Sequence, residues 1–343
     1  MNINELSVEN FCSNCLMGVT GSVANYKYNI KNINKLYFHH SYVYQKQDKV
    51  DYDIASEGLN VWFSRELPIS KEDFSKRLLE YYELGHCYKT YADFEKMLQD
   101  ISKINQSGEL VMIEIDCYYM KKHRFYHKVH DQHMMIVYGI DFNKKCLNVF
   151  EPIFGHIEFE WSEYKDYFDD VLNNRNREII TLILMGKFTS NSLKENKISL
   201  KHFTDDIDKT LVNLSQHSDS TTGIGALKEF KKDLLDFLQI RKDVNNFFIP
   251  GMWSFMCDAM NCANFIDEFQ KDYPDFPKEN VNEVKNCCIL LNRKWYDIFM
   301  GINEVDRHKI SDYEETLNTI LNSEEILYQG LTTLKKDISE YLK

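Results

Sequence analysis

Three residues, far apart in the chain, are of the types that nucleophilic catalysis needs. Cys15 opens a mostly apolar stretch within Asn14-Cys15-Leu16. His133 starts the run His133-Met-Met-Ile-Val-Tyr-Gly139, and Glu151 stands in Val149-Phe-Glu151-Pro152. A thiol attacks a carbonyl as the thiolate, so it needs a base to take its proton and a third group to hold that base in the useful tautomer. A lone cysteine or histidine is ordinarily a packed side chain. Here chain order and local context carry the case together.

Those residues must be positioned by regular elements. The apolar stretch Leu16 to Tyr26 reads as a helix despite Gly18, Gly21 and its β-branched residues, which puts Cys15 at the helix start. Backbone N–H groups and the helix dipole there stabilise a thiolate, lowering a thiol pKa from about 8.5 into a reactive range. The same N–H groups can hold an oxyanion. His133 and Glu151 fall on strand-like runs joined by one short turn, so both can face the same side.

Other residues compete for these roles. Cys12 lies three residues before Cys15, and Cys12-Ser-Asn-Cys15 also has the form of a redox or zinc half-site. Zinc would need two further ligands, for which His39-His40 and Cys287-Cys288 are the vicinal pairs on offer. Asp141 rivals Glu151 as the orienting acid, although it reads better as the cap of the turn Asp141 to Lys145. Histidines 123, 127, 130 and 133 recur at helical spacing, but Lys121 to Lys128 reads as a basic, aromatic loop leading into a strand. Trp62, Trp161, Trp253, Trp295 and Tyr138 read as core or pocket walls. Cys287-Cys288 and Met252 to Met260 read as bundle packing.

The pattern around these residues is α+β. Strand-like stretches at Lys35 to Tyr44 and Leu59 to Phe63 precede helical patterns at Ser70 to Leu84 and Tyr91 to Ile104. Five β-rich runs then follow, spaced like one antiparallel sheet: Glu109 to Cys117, His133 to Ile140, Cys146 to Phe150, His156 to Phe159 and Glu178 to Gly186. Trp161 to Val171 reads as a short helix between the last two. After about residue 190 the chain is helix-patterned, with expected helices at Leu200 to Leu214, Gly225 to Leu238, Val244 to Tyr273 (interrupted near Pro250), Glu279 to Met300 and Ile310 to Leu342. This predicts two domains, residues 1–190 and a helical bundle over 191–343.

Composition narrows the function classes. The 43% hydrophobic and 14% aromatic content suits a folded chain of 343 residues, and its apolar runs are too short to cross a bilayer. A net charge of −12 disfavours nucleic acid as partner. Met1 to Asn10 carries acids and no basic leader, and nine cysteines is an odd count, so reduced thiols in the cytoplasm are expected.

Asn-Cys-Leu before an apolar helix ending in Asn25-Tyr26, with His-Met-Met-Ile-Val-Tyr-Gly-Ile-Asp later, resembles the butirosin-biosynthesis acyltransferase family, and within it the amide-forming condensing enzymes of polythioamide (closthioamide) assembly. The resemblance covers roughly the first 185 residues. It implies a papain-like fold with Cys15 as nucleophile and His133 as base. Glu151-Pro152 falls where related enzymes show Asp-Pro. For the oxyanion-hole amide, where related peptidases use an upstream Gln, Asn10 and Asn14 are the nearest residues. The implied reaction moves an acyl group from the phosphopantetheine of an acyl or peptidyl carrier protein to a small amine or diamine, with no metal and no other cofactor. The loop Lys121 to Lys128 would be the local positive patch for that carrier. A cysteine peptidase with the same triad, and a non-catalytic binding protein, are the alternatives.

Overall fold

The structure, a computed structural model, describes residues 3, 6, 15–31, 33–46, 61–64, 71–123, 126–127, 130–151, 154–186, 197–215, 221–240, 252–303 and 310–343. The chain divides into two units, Met1–Ile33 with Glu72–Asn196, and Asn34–Lys71 with Lys197–Lys343.

In the first unit, helix α1 (Cys15–Tyr28) buries Met17, Val19, Thr20, Val23 and Ala24. Such a helix needs no amphipathic stripe, which is why its glycines and β-branched residues are tolerated. At Gly21 a Cβ would come within 3.1 Å of the Ile33 side chain, a tight approach that the bare backbone avoids. Asn29, in the left-handed region at φ 55°, ends the helix. Helices α2 (Lys71–Tyr82) and α3 (Phe94–Gln106) flank strand β3 (Leu84–Tyr91). Asp93 caps α3 by accepting from the Lys96 N–H.

The remaining strands are β4 (Val111–Asp116), β5 (Gln132–Asp141), β6 (Cys146–Glu151), β7 (Gly155–Glu160) and β8 (Ile179–Gly186). With β3 they form a six-stranded, wholly antiparallel sheet in the order β3-β8-β4-β5-β6-β7. Helix α4 (Trp161–Asn173) connects β7 to β8, and α1, α3 and α4 all pack on the sheet. The α+β reading thus stands at the level of helices plus one antiparallel sheet. Val137 pairs with Val149, so side-chain alternation turns His133, Val137, Val149 and Glu151 to one face. The bulge between Val137 and Gly139 lies beyond His133 and leaves that register intact.

The second unit holds α5 (Leu200–Leu214), α6 (Gly223–Ile240), α7 (Met252–Asp272), α8 (Lys278–Asn303), α9 (Ile310–Tyr341) and the two-stranded pair β1 (Val43–Lys46) and β2 (Val61–Ser64). A division at 190/191 into two continuous stretches therefore needs correcting, because Asn34–Lys71 groups with the C-terminal helices. The physical reason is visible between Phe38 and Tyr42. The strand expected from Lys35 is not formed there: Ile33–Leu36 is a 3-10 turn, residues 37–42 pair with no described strand, and the segment bonds to a helix instead. The N–H groups of Phe38, His40 and Tyr42 donate to Asp206, Thr210 and Asn213 of α5. Alternate backbone donors of the segment thus meet side chains spaced i, i+4, i+7 on one helix face. The Phe38 ring meets Phe203 and Phe265, and Tyr42 meets Phe255 and Trp295.

Candidate active site

Cys15 is the first residue of α1 and is half-buried. Its sulfur lies 3.0 Å from His133 Nδ1. On the other side of the ring, Nε2 lies 2.5 Å from Glu151 Oε1. The carboxylate is completely buried, and its Oε2 accepts the N–H of Phe154 at 2.6 Å. Cys15, 118 positions before His133, and Glu151, 18 positions after it, therefore form with it one connected line of acid, imidazole and thiol.

Each element contributes through its own geometry. The helix start aims the positive end of its dipole at the sulfur. The two adjacent strands β5 and β6 hold base and acid on a shared sheet face. The turn after β6, with Gly155 at φ 71°, brings the Phe154 N–H back onto Glu151.

The electrostatics favour a charged imidazole. Burial alone would lower the His133 pKa, but the Cys15 sulfur and the Glu151 carboxylate overcome it and hold the ring well above its ordinary value. With the Cys15 sulfur against one ring nitrogen and the Glu151 carboxylate against the other, the doubly protonated ring is the form that could donate to both.

Sequence reasoning missed several neighbours. Cys117, just past β4, is buried, and its thiol is pushed up by burial and by nearby Asp131, Cys15 and Asp116, so it stays protonated. Asp116, almost fully buried, accepts from the N–H groups of Tyr118 and Asp131, from His130 Nδ1 and from Arg175. It thereby anchors the chain two residues before His133. An acid at a strand end gave no sequence signal of this role.

The competing residues take other places. Asp141 caps its own turn, accepting from the N–H groups of Asn143 and Lys144 at 2.9 Å each. His40 bonds Glu324 and Cys287 donates to the Ser323 carbonyl, both within the helical unit. Trp295 is fully buried, whereas Trp161 and Tyr138 are half-buried. Cys12, Asn10, Asn14 and Pro152, and the side chains of Trp62 and Trp253, lie outside the described residues. Among the described residues no group of three or more His, Cys, Asp or Glu is placed to hold a metal, and no helix is long and apolar enough to cross a membrane.

No protein-family model matches this chain, and none of the curated proteins searched is similar to it.

Proposed function

We propose that the chain is a cysteine-dependent acyltransferase with a papain-like catalytic unit, forming an amide from a carrier-bound acyl thioester and a small amine. The observation that carries this reading is the Cys15–His133–Glu151 line, with spacings of 3.0 and 2.5 Å. A nucleophilic helix start facing a sheet-borne base and acid is the arrangement expected of that fold, and the sequence resemblance points to acyl transfer.

The reaction divides into two balanced halves. The Cys15 thiolate attacks the thioester carbonyl, and His133 protonates the departing pantetheine thiol, leaving an acyl group on the Cys15 sulfur. An amine then attacks that carbonyl, gives its proton to His133, and leaves as an amide while Cys15 returns to the thiolate. Glu151 keeps the imidazole oriented throughout. No ATP is consumed, because the acyl group arrives activated. All eight described cysteines are free thiols, which suits a reducing cytoplasm.

The test is intact-protein mass spectrometry after mixing with a loaded carrier, with and without an amine. An acyl adduct at Cys15 that the amine discharges as an amide is expected. Peptide cleavage with no adduct and no amide would assign the same triad to a peptidase.

A further inference from the structure

The loop joining β4 to β5 has an organisation that the triad does not require. The Cys117 N–H donates to the Asp131 carbonyl at 2.8 Å and the His127 N–H to the Tyr118 carbonyl at 2.9 Å. Within this frame four rings form a ladder. His130 stacks on Tyr118 at 4.2 Å and 17°, Tyr118 on His127 at 5.1 Å and 24°, and His127 on Tyr126 at 4.0 Å and 25°. His127 holds its place at φ 54°, a region that a residue with a Cβ seldom enters. Both imidazoles, with Lys121 and Lys122, are exposed, although Lys121 already reaches Glu160 at 2.6 Å and His130 meets Asp116 at 2.9 Å.

Charge sets the loop apart. From Lys121 to His130 the chain carries four Lys or Arg, three His and no acid, whereas the whole chain is at −12. A merely solvated loop has no need of a ring ladder, a strained residue and the buried Asp116 anchor to fix it. Two links join it to the triad. Its base lies two residues before His133, and His123 meets Phe154 edge-on at 5.8 Å, the residue whose N–H holds Glu151.

We propose that this loop is the docking surface for the carrier protein, its lysine and imidazole donors meeting the acidic face of the carrier and the phosphate at the root of the pantetheine arm. The proposal rests on the acyl-transfer reading. Both features of such a partner are anionic, which matches a loop of cationic sequence on an otherwise acidic chain. Nucleic acid, also anionic, is disfavoured by the charge of the remaining surface.

The experiment compares Cys15 acylation by one acyl group presented on an acidic acyl carrier protein and on pantetheine, which lacks the phosphate. At low salt the carrier should be preferred about tenfold or more, and the preference should fade towards about 0.5 M salt as the Debye length shrinks. Lys122→Glu, and His127→Asn, which tolerates the left-handed backbone, should each cut that preference by about fivefold. Lys165→Glu on α4 should leave it alone. Acylation with no carrier preference, or equal losses with both donors, would overturn the docking surface and spare the acyl-transfer reading. Salt- and Lys122-dependent capture of loaded carrier by Cys15→Ala supports the surface even where the native protein shows no acylation, an outcome that would sink acyl transfer instead.

Discussion

Each unit of this protein buries a histidine against a glutamate, and only one of the two pairs has the makings of a catalyst. In the sheet unit, His133 meets Glu151 at 2.5 Å. In the helical unit, His40 meets Glu324 at 2.8 Å. Both imidazoles are pushed above their ordinary value, against burial, by the neighbouring carboxylate and in the first case also by Cys15. The difference lies in the third partner. His133 presents its other nitrogen to a half-buried thiol at a helix start. Glu324 instead also accepts from Tyr42, whose oxygen takes the Trp295 N–H, in a fully buried core. A buried His–Glu pair is thus an element of structure, and the half-buried thiol on the other nitrogen is what singles out one pair as the candidate site.

Removing the distinguishing partner breaks the comparison most sharply. Cys15→Ala should abolish acyl loading and amide formation, a loss of about 10³-fold or more in rate, while leaving the thermal unfolding midpoint nearly unchanged. Acyl loading that survives would move the nucleophile elsewhere, to Cys12 first.

The opposite profile is expected for the helical pair. Glu324→Leu leaves His40 and Tyr42 without their buried acceptor and should cost about 3–5 kcal/mol, seen as a lower urea midpoint. An unchanged midpoint would show that the pair contributes nothing to the core.

Glu151→Gln should slow turnover about 10- to 100-fold, and Asp141→Asn by less than about twofold, because only Glu151 touches His133. The sign of the accompanying pH effect is fixed. Losing the carboxylate removes an influence that raises the imidazole, so the Glu151→Gln protein should lose its imidazolium, and with it the high-pH limb of its turnover profile, at lower pH than the native protein. A reversal of the two rate effects would reassign the third member to Asp141.

The helical unit also carries a pH dependence of its own. His40 is raised to about 9 in the folded state, burial opposing and Glu324 prevailing, against an ordinary 6.5. A raised pKa means that its contribution is fully present below about 6.5 and is lost as pH rises through about 9. That contribution is on the order of 3 kcal/mol. Urea unfolding at pH 7 and pH 10 measures it, and Glu324→Leu should abolish the difference. A native protein equally stable at both pH values would refute the assignment.

The sequence was legible where local pattern and tertiary role agree. The runs beginning at His133 and Cys146 are strands, and the apolar stretch after Cys15 is a helix, because burial there leaves strong local signals. Leu84–Tyr91 escaped notice because it is an edge strand whose exposed Cys87 to Thr90 break any alternation. The segment from Phe38 to Tyr42 reads as a strand, but its donors are taken by a helix nearly 170 residues later, which no local pattern encodes. Within the site, side-chain identity announced the three principal residues. The supporting Phe154 N–H is a backbone group, and Asp116 acts through contacts that only the fold creates.

The proposed chemistry needs Cys15, beside His133, to be the reactive thiol of the chain. The most direct measurement is the rate of iodoacetamide labelling at each cysteine near pH 6.5, read by peptide mapping, with exposed Cys87 as the internal reference. Cys15 should react about 10- to 100-fold faster than Cys87, with His133→Ala erasing the advantage. Equal labelling of the two thiols in the native protein would contradict the account.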